Sequence, residues 1–169
     1  VIFAAYAALL YRYTNQRDIT IGAPLTGRTN VETQQLVGLF VEPAPIPIRV
    51  DERGTFVDLL ASSREALLEV MAHGQVPFRL MVQELRPDRS MAQQPFLQVA
   101  TQLMPQTRTQ HAADDLALVP FEFDLGVSEF DLSIDIIEMP EGVRCAFEYS
   151  TDIFATNTIE RMARHFETL

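Results

Sequence analysis

Val37-Gly38-Leu39-Phe40-Val41-Glu42-Pro43-Ala44-Pro45-Ile46-Pro47-Ile48-Arg49, residues 37–49, sets the strongest constraint on how this chain folds. Proline has no backbone N–H, and here it recurs at 43, 45 and 47, so only every second residue donates to a ladder. A strand with neighbours on both sides needs donors on both sides. The stretch is therefore an edge strand or an extended crossing segment.

Working outward from it, residues 18–21 read as a short buried strand that ends at Gly22-Ala23-Pro24. The cluster Thr26-Gly27-Arg28-Thr29-Asn30 marks a loop before a short polar helix at 32–36. Further upstream, Ile2, Phe3, Tyr6, Leu9, Leu10 and Tyr13 recur at spacings of three and four, which predicts a helix over 2–13 leaving at Thr14-Asn15. Downstream, a helix is expected over 56–72, with Thr55 as its N-cap, Asp58 at the third helical position, and Phe56, Leu59, Leu60, Ser63, Leu67 and Val70 on one face. It stops at His73-Gly74, and a second helix follows Pro77 and runs to Arg86-Pro87. Strands are expected at 96–103, 116–123, 132–137 and 143–149, the last two as a hairpin through Met139-Pro140-Glu141-Gly142. Polar loops at 89–94 and 105–115 and a closing amphipathic helix at 157–166 complete a mixed α/β lobe.

Composition excludes several kinds of chemistry. The 169 residues are 47% apolar, enough for a sizeable core. Thirteen basic and twenty-three acidic residues leave a net charge of −10, a field that opposes nonspecific binding to nucleic acid. Every basic residue is Arg and none is Lys, so Schiff-base chemistry and a phosphate-loop lysine are excluded from this chain. The single cysteine, Cys145, has no internal disulfide partner, which favours a reducing, cytoplasmic setting. The apolar opening is only eleven residues long before Arg12, too short to span a bilayer, and no membrane association is expected. Lacking an initiator Met and an N-cap residue, that opening reads as the interior of a longer polypeptide.

Cys145 lies mid-strand between Arg144 and Ala146, the ordinary place of a small buried hydrophobe. His73, His111 and His165 are far apart and share no metal-ligand spacing with a cysteine or carboxylate. Asp114-Asp115, Glu122 and Asp124 pair as acid and base only if folding gathers them, and acidic runs in so acidic a chain are usually solvated faces. No glycine-rich phosphate cradle occurs. The residues alone give no self-sufficient active site and no metal centre.

The order of four segments carries more. Val37-Gly38-Leu39-Phe40-Val41, then His73-Gly74-Gln75-Val76-Pro77-Phe78, then residues 89–95, then Glu129-Phe130-Asp131-Leu132 resembles the C-terminal half of a condensation domain of nonribosomal peptide synthetases. Leu9-Leu10-Tyr11-Arg12-Tyr13-Thr14 with Asp18-Ile19-Thr20-Ile21-Gly22 and Pro24, and Phe147-Glu148-Tyr149 with Asp152 and Phe154, extend the resemblance over nearly the whole chain. It implies one lobe of a chloramphenicol-acetyltransferase-like two-lobed fold, a mixed sheet flanked by helices. Between the lobes of that family runs a tunnel that receives two phosphopantetheine arms from opposite sides, carried by peptidyl carrier proteins of neighbouring synthetase modules.

On that resemblance the chain, 1–169, is the C-terminal subdomain without its N-terminal partner, and it supplies the tunnel floor and acceptor side for amide formation. The family's catalytic motif His-His-x-x-x-Asp-Gly is absent, so no catalytic residue, metal or directly bound cofactor is assigned. Gly38, Phe40, Val41, Glu42, Pro43, His73, Gln75 and Arg89 are implied to line the tunnel, and Pro77, Phe78, Pro95 and Asp131 to hold its architecture. Gly38 is either a plain turn glycine or one required by a positive φ or a close backbone approach. His73 and Gln75 either reach the cleft or serve helix ends, with Phe78 in the core. Asp131, on the strand face opposite Phe130 and Leu132, is expected to hold a loop by hydrogen bonds. Two departures stand out: Glu42-Pro43 replaces the family's Asn-Thr, and the segment at 89–95 keeps only Arg89 and Pro95 of its pattern. They leave open a docking lobe without turnover, or a lobe of a related stand-alone acyltransferase.

Overall fold

A computed structural model describes residues 1–28, 30–74, 76–85, 96–104 and 126–169. The expected strand at 116–123 and both polar loops therefore lie outside the described residues, as do His111, Asp114, Asp115, Glu122 and Asp124. In chain order the elements are α1 (Ile2–Thr14), β1 (Asp18–Thr26), α2 (Val31–Gln34), β2 (Val41–Arg49), α3 (Phe56–His73), α4 (Phe78–Leu85), β3 (Val99–Met104), β4 (Leu132–Met139), β5 (Gly142–Tyr149) and α5 (Thr156–Thr168). Among the described residues, five strands form one mixed sheet in the order β2-β1-β3-β4-β5. The β1–β2 and β4–β5 pairs are antiparallel, and β1–β3 and β3–β4 are parallel.

The proline-rich strand is an edge, as its missing donors require. Its register sets Pro43, Pro45 and Pro47 opposite Pro24, Gly22 and Thr20, while Glu42, Ala44, Ile46 and Ile48 face Leu25, Ala23, Ile21 and Ile19. Alternate pairs of an antiparallel ladder exchange hydrogen bonds, and the Pro43–Pro24 pair has no donor to exchange. The proline pairs are therefore the non-bonded set, and the outer edge of β2 offers no N–H at 43, 45 or 47.

Three sequence expectations fail here. The strand expected to stop at Gly22-Ala23-Pro24 continues to Thr26. Pro24 is tolerated because it sits in a non-bonded pair towards β2, and β3 pairs with β1 only at Ile21 and Gly22, so its missing donor forfeits no ladder bond. The strand expected from Phe96 begins instead at Val99, because Phe96 has a φ of 67°, a left-handed backbone that interrupts extended structure. The polar helix expected at 32–36 is one short turn, Val31–Gln34, with no buried residue to extend it by packing.

One face of the sheet carries the helices. Asn15 ends α1 in the left-handed conformation at φ 57°, its N–H bonded to Tyr11 O. Helix α1 packs over β1 with α3 and α5 on either side, α3 against β2 and α5 against β5. Tyr6, Leu9, Ile21, Ile46, Leu132 and Ile134 are almost fully buried between the layers. Each of these leucine and isoleucine side chains contributes about 1.5–3 kcal/mol relative to exposure. Thr55 and Asp58 form a reciprocal capping box at the start of α3, but the expected Phe56 is exposed and Leu59 and Ser63 hold the buried positions.

Candidate functional site

Strand alternation turns the other set of side chains to the face away from α1, α3 and α5. The pairings align Pro45, Gly22, Ala100, Ser133 and Glu148 in one row across all five strands. Four of the five are small or compact, so the sheet presents a shallow floor. Gly22 suits this crowded position, since a Cβ there would lie 3.1 Å from the buried Leu97 side chain and 3.4 Å from Val99 O. Beside this row Gln102 pairs with Asp135, its Nε2 donating to Oδ1 at 2.9 Å.

A cleft of about 720 Å³ lies over this floor. Leu39, Val41 and Pro43 form one wall, and Val127, Glu129 and Phe130 form the other. Among the described residues that line it are three carboxylates, Glu129, Asp135 and Glu148, and no arginine. These described residues favour a cationic or hydrogen-bond-donating guest over an anionic one. It contains no cysteine or histidine among the described residues. Cys145 packs on the opposite, helical side, where burial pushes its thiol above the ordinary range and away from the reactive thiolate.

The segment that forms the first wall is tied down from below. Arg28 donates through Nη1 to the carbonyls of Thr33 and Leu36, the latter at 2.8 Å, and through Nη2 to Gly38 O at 3.3 Å. Its guanidinium also lies 4.2 Å from the centroid of the Phe40 ring. Gly38 has no positive φ; what glycine spares there is a close approach, since a Cβ would stand 3.1 Å from Phe40 Cε2.

The residues implied as tunnel lining separate into groups. Val41 and Pro43 border the cleft. Glu42, one residue out of phase, turns to the other face, where it and Pro43 border a second groove of about 260 Å³ with His73, Val70, Val76 and Met81. His73 bonds its own helix, Nδ1 lying 2.9 Å from Glu69 O. Pro77 opens α4 by accepting from Leu80 N and Met81 N, and Phe78 is half-buried rather than in the core. Asp131 stands just before β4 and not within it, and its main chain makes the ties: its N–H donates to Gln98 O at 2.9 Å and its carbonyl accepts from Ser150 N at 3.0 Å. Gln75, Arg89 and Pro95 lie outside the described residues. Sequence reasoning misses Gln102, Asp135 and Glu148, because alternation within each strand does not disclose the β3–β4–β5 register that brings the three to one face. Among the described residues no three His, Cys, Asp or Glu side chains gather as a metal site, and no helix is long and apolar enough to cross a membrane.

Comparison with known proteins matches this geometry to a family. The profile of the Condensation domain family matches residues 1–169. A linear gramicidin synthase polypeptide of Brevibacillus parabrevis is 39% identical over 170 residues, covering 99% of this chain and 3% of that protein. The chain thus spans a small part of the curated relatives it matches. Among solved structures, holo-AB3403, a four-domain nonribosomal peptide synthetase bound to AMP and glycine, superposes with a TM-score of 0.88 at 19% identity, covering 98% of this chain and 14% of that one. The X-domain in the complex of the X-domain and OxyB from teicoplanin biosynthesis superposes with a TM-score of 0.80 at 26% identity, covering 98% of this chain and 37% of that one.

Proposed function

The chain belongs to the condensation-domain family, and from that premise we propose that it is the C-terminal lobe of an amide-forming condensation domain of a nonribosomal peptide synthetase. In this reading a donor thioester and an acceptor amine arrive on the phosphopantetheine arms of two carrier proteins, and the cleft on the sheet face opposite α1, α3 and α5 seats the acceptor. The observation that carries it is the cleft bordered by Glu129, Asp135 and Glu148 without an arginine among the described lining residues, surroundings that suit an amine. The sequence holds no His-His-x-x-x-Asp-Gly, so the base that takes the proton from the attacking amine comes from the N-terminal lobe. What this chain's own residues do is bind, orient and exclude water.

The test is amide formation by the full-length polypeptide that carries this chain, given separately loaded donor and acceptor carrier proteins and followed by mass spectrometry. Product that depends on both carriers supports the proposal.

A second reading has a specific observation behind it. The X-domain of teicoplanin biosynthesis, of the same fold and 26% identical, forms a complex with OxyB. Protein docking is thus a second role for this architecture, and Glu42-Pro43 in place of Asn-Thr is the departure that motivates reading this chain as a docking lobe without turnover. Carrier-protein binding with no product from the full-length polypeptide would select this reading over the first.

A further inference from the structure

Segment 31–40 stands out because it is nearly unsupported by packing. Val31, Leu36, Val37 and Leu39 are all exposed, with Val37 and Leu39 more than nine-tenths so. Its internal backbone bonds are short-range, Thr33 N to Asn30 O and Leu36 N to Thr33 O, and among the described residues the Gly27 N to Phe40 O bond ties its end to the β1 side. A segment without buried apolar contacts samples many conformations unless polar groups hold it. Yet Leu39 and Val41, at its end, form a wall of the cleft.

Arg28 supplies the missing support. It leaves the chain two residues beyond β1, and one half-buried guanidinium bonds Thr33 O, Leu36 O and Gly38 O while covering Phe40. Three carbonyls spread over six residues converge on one planar fork. Thr33 O, which also accepts from Leu36 N, belongs to the single-turn α2, and Leu36 lies two residues beyond its end. A lysine ammonium is compact and lacks the fork geometry, so it does not span the same acceptors or stack on the ring. Glycine at 38 lets Phe40 fold back to within reach of the guanidinium.

We propose that Arg28 is a positioning residue that locks segment 33–40 into one conformation and thereby fixes the Leu39–Val41 wall against which the acceptor is oriented. The last clause rests on the acceptor-site reading above; the lock itself does not.

The experiment compares the full-length polypeptide with its Arg28→Lys and Arg28→Ala variants by hydrogen exchange and by amide-forming kinetics. Exchange at amides 33–40 should accelerate by about tenfold or more in both variants, while the core amides of Ile21 and Ile134 keep their protection. Unchanged exchange at 33–40, or equal acceleration in the core, overturns the lock. In the kinetic arm KM for the acceptor-loaded carrier should rise by about tenfold in Arg28→Lys with kcat within about twofold. A loosened segment with unaltered KM overturns the positioning role. A wild-type protein that forms no amide refutes the acceptor-site reading and with it the orienting role, and the exchange arm still decides the lock.

Discussion

Tyr6 is almost fully buried under the sheet, and its hydroxyl donates to Leu132 O at 3.3 Å. Burial alone pushes the phenol far above its ordinary pKa, so it stays protonated and remains a donor. Tyr6→Phe keeps the ring and deletes one buried hydrogen bond, and the expected loss is about 1 kcal/mol by urea denaturation. No measurable loss would show that Leu132 O is satisfied without it. Glu42 leads to a different expectation. Alternation places it away from the cleft and beside His73, so Glu42→Gln in the full-length polypeptide should leave the relative kcat/KM for basic, neutral and acidic acceptors within about twofold. A selective loss of the basic acceptor would return Glu42 to the binding surface. The glycines show what a residue type discloses before a structure is known. Gly38 signals that something unusual is needed at 38, but whether the need is a positive φ or a close neighbour depends on where the Phe40 ring lies. Arg28 disclosed nothing, because its three acceptors are main-chain carbonyls and carbonyls leave no mark in sequence.

Among the elements, α3 is the most fully specified by local chemistry. Thr55 N–H and hydroxyl both donate to Asp58 Oδ2, at 2.8 and 2.7 Å, and Asp58 N–H donates back to Thr55 Oγ1 at 3.3 Å. The hydrogen bonds from Thr55, side chain first and backbone second, hold the Asp58 carboxyl below the usual carboxylate range. A carboxylate depressed on folding stabilises fully above its unfolded pKa and loses that contribution as pH falls through the folded one. Asp58→Asn should therefore destabilise at neutral pH, and its gap from wild type should narrow towards about pH 3, read as urea midpoints. A gap independent of pH would remove the charge from the cap. Thr55→Ala should cost about 1 kcal/mol at neutral pH by the same measurement. This helix and the edge strand β2 were legible in sequence because their signals are local, a cap three residues from its partner and prolines two apart. The end of β1 was not. Gly22-Ala23-Pro24 resembles a terminator, and only the register of β1 with β2 and the early departure of β3 reveal that Pro24 breaks no bond. The left-handed Phe96 is likewise invisible to alternation.

On the scale of the whole molecule, the sheet has one face sealed by helices and one face that forms the floor of a cleft, with an apolar segment standing beside it. Exposed Val31, Leu36, Val37, Leu39 and Val41 form the kind of apolar surface that marks an interaction site. The isolated chain should bind a hydrophobic dye or self-associate, and a well-behaved monomer by sedimentation without dye binding would contradict that. The family resemblance was legible because its short motifs stand in order along nearly the whole chain. The cleft's composition was not, because Gln102, Asp135 and Glu148 come from three strands and meet only through the β3–β4–β5 register. Filling that meeting place shows whether the acceptor sits there. Gln102 lies on the cleft floor and is half-buried, so Gln102→Trp in the full-length polypeptide places a large side chain where the acceptor is proposed to sit. Kinetics with saturating donor-loaded carrier and varied acceptor-loaded carrier should show kcat/KM for the acceptor falling by about 100-fold, with loading of the donor unchanged. An unaltered acceptor kcat/KM in a folded variant would contradict the assignment of this face as the acceptor's seat.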